Sequence, residues 1–332
     1  MENCKINEAT KDYWEEYQLF KELNKDKGKD YIELERFLDY KEDNEILTKN
    51  GKETLTYEQW YITIKSKERK DAILRAEQRK IIQLKENFKI FQQEELGYFH
   101  FNIYKDLLLL DLEPQYLTRF VYLCCFLDFD DSRVKWGKID GGNAIVKDLE
   151  EILGLSEREC RNTKNALIKK GLITIDKNNI IEINKKYAFK GKSKKDMEGC
   201  VKMFENGFKQ IYENATPKEH KKLGILIKLL PSVNYAHNIL CSNPEETDVT
   251  KIYPLSLKDI CNIVGYAEKN SSRLKKELLN LTVNDELVVK ITQTKYGIFI
   301  YINPHVYYKG HDIDSLKGTI NEFRIGKDII RK

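Results

Sequence analysis

The chain repeats itself, and a sequence holding two copies of one unit is constrained to build one architecture twice. Residues 183–191 read INKKYAFKG and residues 302–310 read INPHVYYKG, so both fit the frame I-N-x-x-x-x-[FY]-K-G. Upstream, KDLEEILGL at 147–155 matches KDICNIVGY at 258–266. Pro114 and Pro217 mark corresponding helix starts, because proline suits the first helical turn. Ile103-Tyr104 and Ile211-Tyr212 mark the fronts of the copies. Four landmarks in the same order predict a duplicated body, 97–191 and 204–310, joined by the polar basic segment Lys192-Ser193-Lys194-Lys195-Asp196. The second copy carries about eight extra residues between its two main landmarks.

Within each copy the same elements follow one another. A long apolar helix (114–127, or 217–230) precedes a short amphipathic one (145–153, or 256–264). Gly154 or Gly265 ends the short helix, since glycine accepts positive φ cheaply. A third helix follows. In the first copy Ser156 is its N-cap and Glu159 completes a capping box. That helix runs to about Lys170 and stops at Gly171. Strands 172–175 and 180–183 then flank residues 176–179, and strands 287–291 and 298–302 flank 293–297.

Helix, short helix, turn, helix, β-hairpin is the order of a winged helix–turn–helix. Its third helix fits the major groove of duplex DNA, and its hairpin reaches neighbouring phosphates. Cys160, Thr163 and Leu167 face inward, as do Ser271, Leu274 and Leu278. The outward candidates for DNA binding are Arg158, Arg161, Asn162 and Asn165, and Lys269, Asn270, Arg273 and Lys276. Arginine suits guanine and asparagine suits adenine. Lys177 and Lys295, at the wing tips, are placed for phosphates.

The first 56 residues read as an acidic region with a β-hairpin, in which 46–48 and 54–56 flank the turn pair Asn50-Gly51. Residues 57–96 form one long amphipathic helix, with Ile62, Ile73, Leu74, Ile81, Leu84 and Phe88 at near-helical spacing. It serves as a dimer helix or as a strut against the body. Residues 311–332 form a C-terminal tail. The expected fold class is therefore mainly α with small β-hairpins (α+β).

The ending FIYINPHVYYKG at 299–310 resembles the RepL-type plasmid replication proteins of Gram-positive bacteria, and 183–191 is a version of it without the proline. The Asn50-Gly51 segment also resembles an N-terminal feature of that family. The resemblance covers about the last 50 residues of each copy and implies a winged helix acting in plasmid or phage replication.

The charge is partitioned. Residues 1–60 carry 10 basic and 16 acidic side chains, 61–90 carry 9 and 4, and 91–332 carry 38 and 33. A basic stretch behind an acidic front is compatible with a polyanion partner, and the acidic front with a protein partner. No phosphate-binding G-x-x-x-x-G-K-[ST] loop is present, and the five histidines form no metal pattern. Seven cysteines without a C-x-x-C pair point to reduced thiols in the cytoplasm. No apolar run is long enough for a membrane span, and the opening residues lack a secretory signal. The expectation is a protein without enzymatic activity, cofactor or metal that binds double-stranded DNA, acting in replication initiation or transcription regulation. The alternative is a protein-interaction factor, a loader or inhibitor that uses its winged helices as scaffold.

Overall fold

The computed structural model describes residues 2–23, 34–97, 100–137, 142–191, 200–295 and 297–330. It is mainly helical with small antiparallel sheets, an α+β chain. Two compact units divide it, Met1–Leu84 and Lys85–Lys332.

Aromatic side chains hold the first unit together. Helices α1 (Glu2–Leu23) and α2 (Leu34–Lys49) meet the start of α3 (Tyr57–Leu96). Tyr17, Phe37, Tyr57 and Trp60 are buried, with Phe20 and Tyr40 packed against them. Trp60 donates its indole N–H to Asp43 (2.7 Å), which satisfies the polar edge of a buried ring. Thr56 and Gln59 cap α3 reciprocally, backbone N–H to side-chain oxygen in both directions (3.0 and 3.3 Å).

The expected N-terminal hairpin does not form. Helix α2 runs through 46–48 and ends where Gly51 adopts φ +68°. The N–H of Asn50 donates to the carbonyl of Ile46 (3.1 Å), and that of Lys52 to Leu47 (2.9 Å). Residues 54–56 pair with no strand among the described residues. Instead the Asn44 amide bonds both backbone groups of Leu55 (3.0 and 2.8 Å). An Asn-Gly pair supplies positive φ, which a helix end needs as much as a tight turn does.

The predicted long helix is present as α3, with 40 residues. Its side chains from Lys65 to Leu84 are solvent-exposed, apart from a half-buried Asp71. Its last turns belong to the second unit, where Phe88, Phe91 and Leu96 pack with Phe204, Tyr308, Leu316 and Ile320.

In that unit the first copy comprises β1 (His100–Tyr104), α4 (Pro114–Cys124), α5 (Leu149–Leu153), α6 (Glu157–Lys169), β2 (Ile173–Ile175), β3 (Ile181–Ile183) and β4 (Ala188–Phe189). The second comprises β5 (Cys200–Phe204), α7 (Glu205–Asn214), α8 (His220–Leu229), α9 (Leu257–Val264), α10 (Ser271–Leu279) and β6 to β9 (Thr282–Val283, Glu286–Leu287, Val289–Thr294, Gly297–Ile302). The expected tail is largely a helix, α11 (Ile313–Ile330). The expected joint, 192–196, lies outside the described residues.

Two landmarks shift. Pro217 sits in the turn before α8, not at its first position, and Thr216 and Glu219 close that turn by hydrogen bonds. Ile103-Tyr104 ends strand β1 while Ile211-Tyr212 lies inside α7. The structural counterpart of β1 is β5.

These two leading strands pair antiparallel, Phe101 opposite Met203 and Asn102 opposite Lys202. Ala188 then bridges to Ile103 of β1, and Tyr307, its equivalent in the repeated frame, bridges to Met203 of β5. Register and bridges are therefore symmetric about the Asn102–Lys202 pair, so an approximate two-fold relates the copies. Helices α4 and α8 also pack on each other. A Cβ on Gly224 would lie 2.1 Å from the Pro114 carbonyl oxygen, and Thr118 donates its hydroxyl to the His220 carbonyl (2.7 Å). Phe120 and Leu123 of one copy share a single core with Leu226 and Leu229 of the other.

The repeated I-N frame is a closure device. Asn184 donates its side-chain amide to the Gly171 carbonyl (2.7 Å), and Asn303 donates to Leu287 (3.0 Å). Their side-chain oxygens accept the N–H of Lys186 and His305 (3.0 Å each), closing Asx turns. Each asparagine thus ties the end of a hairpin to its beginning. The extra residues of the second copy fall in the small β6–β7 hairpin and in longer β8–β9 strands.

Candidate nucleic-acid interface

Helix α6 is set by its inner face. Cys160, Thr163 and Leu167 are buried, as their spacing predicts. Arg158, Arg161, Asn162 and Asn165 are all exposed and, at about 100° per residue, share the opposite face. Ser156 caps the helix by accepting the N–H of Glu159 (3.4 Å). The reciprocal half of the expected capping box is missing, because the Glu159 carboxylate turns to Arg119 (3.4 Å). Arg161 pairs with Glu157 one turn back (2.6 Å).

The second copy repeats this with changes. Leu274 and Leu278 are buried and Ser271 is half-buried. Arg273 and Lys276 are exposed on α10. Lys269 and Asn270 lie in a 3₁₀ turn ahead of the helix, Lys269 exposed and Asn270 half-buried at the N-cap position. Arg273 pairs with Glu277 (2.9 Å), a bond that holds its guanidinium above the ordinary range. Arg161 and Arg273 are therefore each held by a glutamate on their own helix. Exposed pairs of this kind are weak and exchange readily for a stronger acceptor.

The first hairpin stands where the sequence placed it, whereas in the second the strand starts at Val289 and runs on to Thr294, so residues 293 and 294 of the expected turn are strand. Ile173 pairs with Ile183 and Ile175 with Ile181, and Lys177 is exposed at the tip. Asp176 shapes this turn by accepting the N–H of Asn178 and Ile180 (2.8 Å each), with Asn179 at φ +62°. The β8–β9 hairpin is longer, with Lys295 exposed beside Gly297 at φ +136°.

Arg119 is the residue that periodicity did not single out. It is buried in α4, among Leu117, Phe120 and Val121. Its guanidinium donates to Thr163 of α6 (2.9 Å) and to Nδ1 of His220 in α8 (3.3 Å). Burial, then the Arg119 charge, lowers His220 to about 4, so its ring is neutral and accepts that bond. Tyr122, Tyr212 and His220 continue the junction as a stack, with centroids 3.7 and 4.3 Å apart. One arginine thus links α6 of the first copy to α8 of the second. A charged residue inside an apolar helix was the available signal. Beside it lies a cleft of about 370 Å³ lined by Asn162 together with Lys218 and Lys221 of the other copy.

No set of three or more His, Cys, Asp or Glu side chains is placed to hold a metal ion among the described residues. None of their helices is long and apolar enough to cross a membrane. Burial raises the Cys160 thiol to about 11, which makes it a core residue rather than a reactive one. No protein-family model, curated protein or solved structure matches the chain.

Proposed function

We propose that each copy is a winged helix and that the pair binds duplex DNA sequence-specifically, as a replication initiator or transcription regulator of a plasmid or phage. One observation carries this. Each third helix buries one apolar face and turns Arg, Asn or Lys side chains outward, with a lysine-tipped hairpin behind it. Arg158, Arg161, Asn162 and Asn165 are the reading residues of α6. Lys269, Asn270, Arg273 and Lys276 are those of the α10 region, and Lys177 and Lys295 contact phosphates. The ending 299–310, similar to that of RepL-type proteins, supports the replication role.

The test is a mobility-shift titration with DNA from the protein's own locus. Wild type binds with steep salt dependence, because phosphate neutralisation releases counterions. Arg161→Ala or Arg273→Ala weakens binding to the preferred site roughly 5- to 100-fold and relaxes base preference at one position. Unchanged binding by the double variant would sink these two reading heads.

A further inference from the structure

We propose that the exposed middle of α3 is a separate DNA-binding surface, which grips the phosphate backbone without reading sequence. Residues 65–80 carry seven basic and three acidic side chains. At about 100° per residue, Lys65, Arg69, Arg75, Arg79 and Lys80 fall in one sector about 140° wide. Ala72 and Ala76 lie between them, so no bulky side chain keeps a partner away. Glu68 lies in the same sector and is taken by Lys65 (3.3 Å). Arg69, Arg75, Arg79 and Lys80 have no carboxylate within ion-pairing distance among the described residues.

Such a stripe is costly for a helix on its own. Lys65 and Arg69, like Arg75 and Arg79, are like charges one turn apart, and pairs of this kind destabilise an exposed helix. A polyanion removes that cost. From Arg69 to Lys80 the helix rises about 16 Å, the span of about five phosphates on one strand of duplex DNA. An anionic membrane fits less well. Ile62, Ile73, Leu74, Ile81 and Leu84 share a sector about 120° wide beside the basic one, but Lys70 and Glu77 fall in its middle, so insertion would bury two charges with it.

This surface rests on the charge of α3 and does not depend on α6 or α10 reading bases. The experiment uses the full chain and a random-sequence 30-base-pair duplex, with affinity followed by fluorescence anisotropy at several salt concentrations. The variant Arg69→Gln, Arg75→Gln, Arg79→Gln, Lys80→Gln keeps helix-forming side chains, and circular dichroism confirms the helix. Its affinity for random duplex is expected to fall about ten-fold or more at low salt. Its salt slope is expected to fall by about 3 to 4, near 0.9 per lost phosphate contact. An unchanged slope, no duplex binding by wild type, or tighter binding of wild type to phosphatidylserine vesicles than to duplex overturns the inference. Loss of random-duplex affinity by this variant, with site preference untouched in the Arg161→Ala, Arg273→Ala variant, supports the α3 surface while refuting the reading heads.

Discussion

At the residue scale, Arg119 and His220 show how a polar pair is kept in an otherwise apolar junction. The imidazole accepts a hydrogen bond only while neutral, and burial keeps it so. His100, lowered to about 4 by burial and then by Lys202, shares that state. The consequence for stability has a definite sign. Between about pH 6.5 and pH 4 the unfolded chain binds protons on these histidines and the folded chain does not, so stability falls as pH falls through that window. Melting temperatures at pH 7, 6 and 5 check this. His220→Asn should flatten the profile, and a profile equally steep in that variant would exclude His220 as a contributor. The sequence showed the five histidines as lone residues without a pattern. Only packing reveals which of them are buried.

At the element scale, α4 and α8 touch through Gly224. Glycine costs a helix interior about 1 kcal/mol relative to alanine, so alanine would be the better residue by propensity alone. The Pro114 carbonyl occupies the space a Cβ needs. Gly224→Ala is expected to destabilise the protein by about 1–3 kcal/mol, as overpacking does, measured by urea denaturation. A stabilised variant would mean that the two helices do not approach this closely. The third helices were legible, because buried positions 160, 163 and 167 and exposed positions 158, 161, 162 and 165 follow the helical period. The N-terminal hairpin was misread at this scale. The Asn50-Gly51 signal is genuine, but it reports a positive φ and not the element that uses it. Glu159 was misassigned for a related reason, since Arg119 is a stronger partner for its carboxylate than the N-cap backbone.

At the scale of the whole molecule, the approximate two-fold has a consequence for the proposed DNA site. Units related by a two-fold present their reading helices to inverted half-sites, as symmetric dimers do. The shared core and the close α4–α8 contact leave no slack between the copies, so the half-site spacing is fixed. Selection from a random duplex library should therefore return an inverted repeat of constant spacing. Inserting five base pairs between its halves should remove most of the affinity gained from joining them. Recovery of direct repeats, or tolerance of the insertion, would contradict the two-fold arrangement as the DNA-binding form.

Although β1, β5, α7 and the β6–β7 hairpin were not legible, the sequence by itself carried the repeated landmarks, the three helices and closing hairpin of each copy, the long helix and the outward face of α6. These follow from local rules: helical periodicity, capping residues and positive-φ glycines. Tertiary structure decided what joins the copies. Pairing of β1 with β5 and packing of α4 on α8 are contacts between distant segments, and side-chain pattern does not encode which apolar strand meets which. It also decided that Asn184 and Asn303 close their hairpins, because a side-chain amide's partner depends on which backbone groups the fold leaves within 3 Å of it.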